Sequence, residues 1–176
     1  MKRTSLIGLL LLPFTFFLPA SFGGDGLGTT YCFGNGCPCD NDDPNAGCAN
    51  STGVGTLATA IGSVSIAADD FQLIGTQMPT NSVSIVLASR TQQTFLFRDG
   101  LLCMGFPFTR LQVHRNSHQV GSVRFDHIVS KFEEQGLTLI PGDTFNFQIW
   151  HRDSGNDSPC GEKSNLSNGV TITFEP

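Results

Sequence analysis

One tryptophan and one tyrosine stand among 176 residues, and only 14% of the chain is charged. Positive charge is the scarcer sign: 10 Lys and Arg face 15 Asp and Glu, and no Lys or Arg occurs between Gly24 and Ser89. Phosphate neutralisation needs clustered Lys and Arg, so nucleic acid is removed from the expected partners. No apolar run reaches the roughly 20 residues of a membrane-spanning helix, so no span is expected in the mature chain. The nucleophile elbow G-x-S-x-G and the zinc motif H-E-x-x-H are both missing, and Glu133-Glu134 has no supporting pattern. An extracellular hydrolase is therefore the last of the functional readings. Disorder is excluded too, because 39% of the residues are apolar.

The amino terminus carries a legible signal. Lys2 and Arg3 precede an apolar run from Leu6 to Leu18, and Ser21 and Gly23 supply the small residues of a cleavage site. Residues 1–23 are thus expected to be a signal peptide. Its removal leaves about 153 residues, enough for one domain that buries roughly two-thirds of its unfolded surface. The net charge then moves from -5 to about -7. The expected location is secreted, extracellular or at the cell surface.

All six cysteines, Cys32, Cys37, Cys39, Cys48, Cys103 and Cys160, lie beyond that signal. An even number in an exported chain reads as three disulfides, with fifteen connectivities open. Four of them fall in residues 24–55, a segment with little apolar content beyond Tyr31 and Phe33, so covalent staples are expected to hold it. Cys37 and Cys39 are too close to bond each other without strain, which directs at least one toward Cys103, Cys160 or a neighbour in the cluster. A link such as Cys48 to Cys103 would close a loop of about 55 residues and restrict the unfolded chain. A four-cysteine zinc site is the rival, but the spacing C-x4-C-x-C-x8-C is not the paired C-x2-C form.

From Thr56 onward the hydrophobic period is two. Val64 and Ile66 alternate with serines; so do Val83, Ile85 and Leu87 with their neighbours; Phe145, Phe147 and Ile149 alternate with Asn146 and Gln148; Val170, Ile172 and Phe174 alternate with threonines. Shorter candidates lie at Phe71 to Ile74, Thr94 to Phe97, Arg110 to Val113 and Val120 to Phe125, and one short helix at His127 to Gln135. The expected fold is all-β: a single antiparallel two-sheet sandwich, Greek-key or jelly-roll-like, over residues 56–176, forming one domain with the Cys-rich segment. An eight-stranded barrel is the alternative. The stretch from Arg152 to Gly169 reads as one long loop before the last strand.

The sequence also carries Tyr31-Cys32, Cys37-Pro38-Cys39, Gly47-Cys48-Ala49-Asn50-Ser51, Gly62-Ser63-Val64-Ser65, Asp99-Gly100-Leu101-Leu102-Cys103 and Arg110-Leu111. Pro141-Gly142-Asp143-Thr144, Phe147-Gln148-Ile149-Trp150, Arg152-Asp153 and Asn165-Leu166-Ser167 follow in order. This set resembles a group of exported, disulfide-containing β-sandwich proteins and modules of uncharacterised activity, abundant in planctomycete bacteria. His151 departs from it, standing where that group is expected to have Tyr. The resemblance implies a bacterial source, export and architecture, and no site residues.

Candidate chemistry is sparse. Asp40, Asp42 and Asp43 offer hard oxygens to calcium at short spacing, although Asn, Asp and Pro at 40–45 also make an ordinary solvated turn. No cofactor other than this calcium is expected. His114 and His118 are four apart in a strand-turn-strand context, where that spacing aligns nothing for zinc. His127 and His151 complete the histidines. Trp150 has the opposite parity to Phe145, Phe147 and Ile149, so it should face away from the core with Asn146 and Gln148. Such a face can bind sugar by stacking and amide hydrogen bonds, or it can be the surface on which the Cys-rich segment packs, the reading favoured here. Asn50, Asn156 and Asn165 lie in glycosylation sequons, effective only in a eukaryotic secretory route. The leading expectation is an extracellular or cell-envelope structural and interaction domain without catalytic activity. A carbohydrate- or matrix-binding module, calcium-stabilised or not, comes second; the expected partners are extracellular polymers or envelope proteins.

Overall fold

The computed structural model describes residues 27–115, 121–154 and 157–176. The expected signal peptide, His118 and Asn156 lie outside them. Within the described residues run β1 (Thr29–Tyr31), β2 (Leu57–Ile61), β3 (Gln72–Thr76), β4 (Val83–Ser89), β5 (Gln92–Phe97), β6 (Gly100–Met104) and β7 (Thr109–Arg115). They are followed by β8 (Val123–Phe125), helix α1 (Ile128–Glu134), β9 (Thr144–Arg152), β10 (Ser164–Leu166) and β11 (Gly169–Thr173). All paired strands are antiparallel, so the all-β expectation holds. The largest sheet runs β1-β11-β9-β4-β7, with β10 added to the far half of β9.

Alternation explains how this sheet is used. Val86 and Ala88 of β4, Phe145, Phe147 and Ile149 of β9, and Val170 and Ile172 of β11 face one side. There they meet a second sheet, β2-β3-β8, and the apolar side of α1. Phe71, Phe132, Phe145, Phe147 and Phe174 form the centre, with Phe132 and Phe145 centroids 4.6 Å apart and Phe71 and Phe147 5.2 Å apart. Each ring adds about 1.5–3 kcal/mol by burial. The helix begins where its own N-cap residue, His127, makes no side-chain cap bond. Asp69, from the loop after β2, supplies the missing acceptor for the Val129 N–H at 2.9 Å, a charge well placed against the helix dipole.

The opposite side of the large sheet is covered by a third element. Strands β5 and β6 pair only with each other among the described residues, and this hairpin lies over Leu87 and Leu166 through Leu102 and Met104. On its other side Leu101 and Cys103 pack against Tyr31, Cys32, Cys37 and Cys48. Layering is therefore sheet, sheet, hairpin and Cys-rich segment, more than a plain two-sheet sandwich. Glycine is required where this stack is tightest: a Cβ on Gly169 would stand 2.3 Å from the Tyr31 ring, and one on Gly100 2.2 Å from Asn165 Oδ1.

The disulfides join the layers. Cys32 bonds Cys103 on β6, Cys37 bonds Cys48, and Cys39 bonds Cys160 in the loop before β10. Cys37 and Cys39 avoid each other as expected, while Cys103 takes Cys32 and not Cys48. Two further expectations change. Val64 to Ile66 is not a strand; Ser65 makes a single parallel bridge to Glu175, and Val64 and Ile66 pack on the core from a loop. The stretch from Arg152 to Gly169 is not one loop, because Ser164, Asn165 and Leu166 pair with β9.

Candidate functional site

Parity places Asn146, Gln148 and Trp150 together on the side of β9 away from the phenylalanine core. Their fates then diverge along the strand. Gln148 is wholly buried: its Oε1 accepts the Cys103 N–H at 3.0 Å, and its Nε2 donates to Leu101 O at 2.8 Å and Ser167 O at 2.7 Å. Asn146 is also buried, accepting from Gln92 Nε2 at 3.0 Å and the Thr171 hydroxyl at 2.8 Å while donating to Ser89 O. Neither amide is open to a ligand, because the β5–β6 hairpin, through Gln92, Leu101 and Cys103, and the neighbouring residues Ser89, Ser167 and Thr171 take up their hydrogen-bonding capacity. Of the three residues offered for a sugar face, Trp150 alone is not buried.

Trp150 is only partly buried, and the cover next to it is this hairpin instead of the Cys-rich segment. Beyond the hairpin's end the sheet opens into a cleft of about 410 Å³. Its floor follows from register. Ile85 lies opposite Trp150, Leu166 lies opposite Trp150 on the other flank, and Arg110 lies opposite Leu87. Arg152, two residues beyond Trp150, shares its side of β9 and faces Ser164. Phe97, Arg98, Leu102, Phe108, Glu162 and Lys163 close the walls.

Four of the ten Lys and Arg residues therefore line one cleft: Arg98, Arg110, Arg152 and Lys163. Its one carboxylate among the described residues, Glu162, pairs with Arg98 at 2.6 Å. Among the described residues neither histidine nor cysteine lines it. Such a site can stack an apolar face and bind anionic groups; it holds no paired acid and base.

Compared with protein-family models, curated proteins and solved structures, the chain matches none.

The other candidate residues have structural employment. Asp42 accepts the N–H groups of Cys37 at 2.7 Å and Gly36 at 3.1 Å, which hold its carboxyl below the usual range. Asp43 accepts those of Asn45 and Gly55, and Asp40 is exposed. The calcium candidates do not converge: among the described residues no three His, Cys, Asp or Glu side chains gather to hold a metal. Asp70 binds Ser63 through both its hydroxyl and its N–H, so the Lys- and Arg-free stretch places most of its carboxylates on donors within the chain. His114 packs edge-on to Phe125, and His127 is exposed 3.6 Å from Asp69. Asn50 and Asn165 are buried, their amides donating to Thr56 and Gln77 and to Cys48 and Ala49. A glycan on either would have to break these bonds.

Sequence reasoning missed the buried polar set that fastens the layers. Asp99, at the hairpin turn, accepts from the Ser158 hydroxyl and from the N–H groups of Cys160 and Glu162, shaping the cleft's loop wall. Asn168 imitates a strand neighbour, accepting the Ala58 N–H at 2.7 Å and donating to Ala58 O at 3.1 Å. The only advance signal was a row of amides, Asn165 and Asn168 flanking Leu166-Ser167, in what read as loop.

His151 belongs to this set and predicts a pH dependence. Fully buried, it bonds Thr56 Oγ1 through Nε2 at 2.8 Å and Arg152 O through Nδ1 at 3.2 Å. Burial pushes its pKa below the ordinary value, so the folded chain keeps it neutral. The unfolded chain takes up a proton as pH falls through about 6.5. Below that pH the unfolded state binds more protons, and stability falls by up to about 1.4 kcal/mol per unit until the lower folded pKa is reached. Urea midpoints measured from pH 7.5 to 5 should therefore drop, and the drop should be smaller in His151→Gln. Parallel profiles for the two proteins would remove His151 as the cause.

Proposed function

We propose that this chain is an exported interaction domain without a catalytic centre, which binds a carbohydrate or other matrix polymer at the Trp150 cleft. The observation that carries the reading is the position of Trp150: the chain's one indole lies partly exposed on the floor of a cleft. Cavities of this size and mixed lining are ordinary ligand sites, and an indole face stacks well on the apolar face of a sugar ring. Support for export comes from the signal-like amino terminus together with three disulfides, which persist in oxidising compartments. No described helix is long and apolar enough to cross a membrane. Binding fits better than turnover because, among the described residues, the cleft's one carboxylate is already ion-paired and no histidine lines it.

The test is retention of the oxidised protein on a panel of polysaccharides, beside Trp150→Ala. Trp150 is not part of the phenylalanine core, so the variant should remain folded. Retention by at least one polymer, weakened about tenfold or more in the variant, is expected. Retention unaffected by the variant would move the binding face elsewhere, and no retention at all would leave a structural domain.

A further inference from the structure

We infer that the ligand of the Trp150 cleft is an acidic polysaccharide segment, its carboxylate or sulfate groups held by Arg110 and Arg152. This rests on the proposed binding function and adds the charge class of the polymer. The formal charge of the chain is -5, yet the described lining of the cleft has Arg98, Arg110, Arg152 and Lys163 beside one carboxylate, Glu162, which pairs with Arg98. The surplus carboxylates that could have neutralised it are turned elsewhere. Asp42, Asp43, Asp69 and Asp70 hold backbone N–H groups, Asp99 and Asp153 are buried on N–H and hydroxyl donors, and Asp143 pairs with Arg90. Arg110 and Arg152 are exposed and have no carboxylate partner among the described residues. A positive cleft on a negative molecule favours an anionic occupant and repels a cationic one.

Geometry narrows the class. A guanidinium is a planar fork that matches carboxylate and other oxyanions with two parallel hydrogen bonds. Arg110 is on β7 and Arg152 on β9, two strands apart and offset along the sheet by four residues. At ordinary strand spacing and rise their Cα atoms are on the order of 15 Å apart. A chain with repeated acidic groups can engage both guanidiniums at once while it lies along the floor between them. Between them lies Trp150, with Phe108 and Phe97 in the walls, to take the apolar face of the intervening ring. The aromatic floor favours a sugar chain over an acidic peptide, which has no flat apolar face to offer at each unit.

The inference is tested by affinity electrophoresis of the oxidised protein through polygalacturonate and through its fully methyl-esterified form, and through chondroitin sulfate and its desulfated form. Poly-glutamate serves as the acidic peptide. Arg110→Gln/Arg152→Gln and Trp150→Ala are run alongside; both arginines are exposed, and a retained urea midpoint verifies the fold. The expected result is retardation by the uronate or the sulfated polymer, at least tenfold weaker for the neutralised counterpart and in each variant, and weakened by added salt. Equal retardation by acidic and neutral forms, lost in Trp150→Ala but not in the arginine variant, would overturn the charge assignment and leave the proposed function standing. Stronger retardation by poly-glutamate would replace the saccharide with a peptide. Retardation by none of these probes would end the inference, and the neutral members of the wider panel would then decide the proposed function separately.

Discussion

Serine at both Cys39 and Cys160 is expected to lower the unfolding free energy by about 2–5 kcal/mol, a large fraction of what a domain of this size possesses. Their sequence separation is 121, the longest of the three pairs. In the chain-entropy description such a loop restricts the unfolded ensemble more than the Cys37–Cys48 ring, whose separation is 11. With Cys32–Cys103 still closed that loop is shortened to about 64 residues, and Cys39→Ser/Cys160→Ser should cost more than Cys37→Ser/Cys48→Ser by about 1.5 kcal/mol in that description. The loss has a local side as well. Cys160 anchors the loop that carries Glu162 and Lys163, and its N–H is one of the donors to buried Asp99. Denaturant midpoints of the two double variants decide the matter, and equal or reversed costs would show that the long staple adds nothing beyond a short one.

Gln148→Leu is expected to be comparably severe, at about 3–5 kcal/mol, although it exchanges one buried side chain for another of similar volume. Three backbone groups, Cys103 N–H, Leu101 O and Ser167 O, would lose their carboxamide partner, and each buried orphan costs about 1–3 kcal/mol. Some of this is recovered if water enters as the hairpin lifts. Amide exchange then provides the sharper reading: β6 should lose protection in the variant while β3 and β8 keep theirs. A loss below 1 kcal/mol, or uniform exchange across both sheets, would show that the hairpin is held by its apolar contacts and the Cys32–Cys103 bond alone.

These two sites mark where the sequence was readable and where it was not. The alternation of β9 announced both of its sides, because Phe145, Phe147 and Ile149 face a core and their neighbours do not. What covered the other side was hidden. Gly100 to Met104 reads Gly-Leu-Leu-Cys-Met and shows no alternation, since β6 is buried on both faces, against Leu87 and Leu166 on one and the Cys-rich segment on the other. Period two is a signal only for a strand with one wet face. Val64 to Ile66 misled for the converse reason: two apolar residues of equal parity can pack from a loop as well as from a strand. In β10 the sequence Ser-Asn-Leu looked like loop because its burial is stabilised by hydrogen bonds instead of apolar contact.

The cleft was legible only in part. Trp150 stood out by parity. Its basic rim did not, because Arg98, Arg110, Arg152 and Lys163 are spread over 65 residues and meet only through strand register and the loop tied by Cys160. Parity gives the orientation of Asn146 and Gln148 correctly, as a face for sugar or for packing, but it does not reveal that the β5–β6 hairpin is what packs there. The acidic run at Asp40 to Asp43 has the residue types of a cation site, but Asp42 and Asp43 are turned onto nearby backbone N–H groups, a distinction that depends on where those groups point.

Because Trp150 is the chain's one tryptophan, its emission reports on the cleft without a label. Titration of the oxidised protein with oligogalacturonate, with chondroitin sulfate oligosaccharides and with neutral oligosaccharides, followed by tryptophan emission, is the most direct test that this cleft binds polymer. A saturable change in intensity or wavelength with at least one of them is predicted, reflecting a ring laid over the indole. An emission spectrum unchanged by a polymer that the protein demonstrably retains would contradict the assignment and place binding away from Trp150.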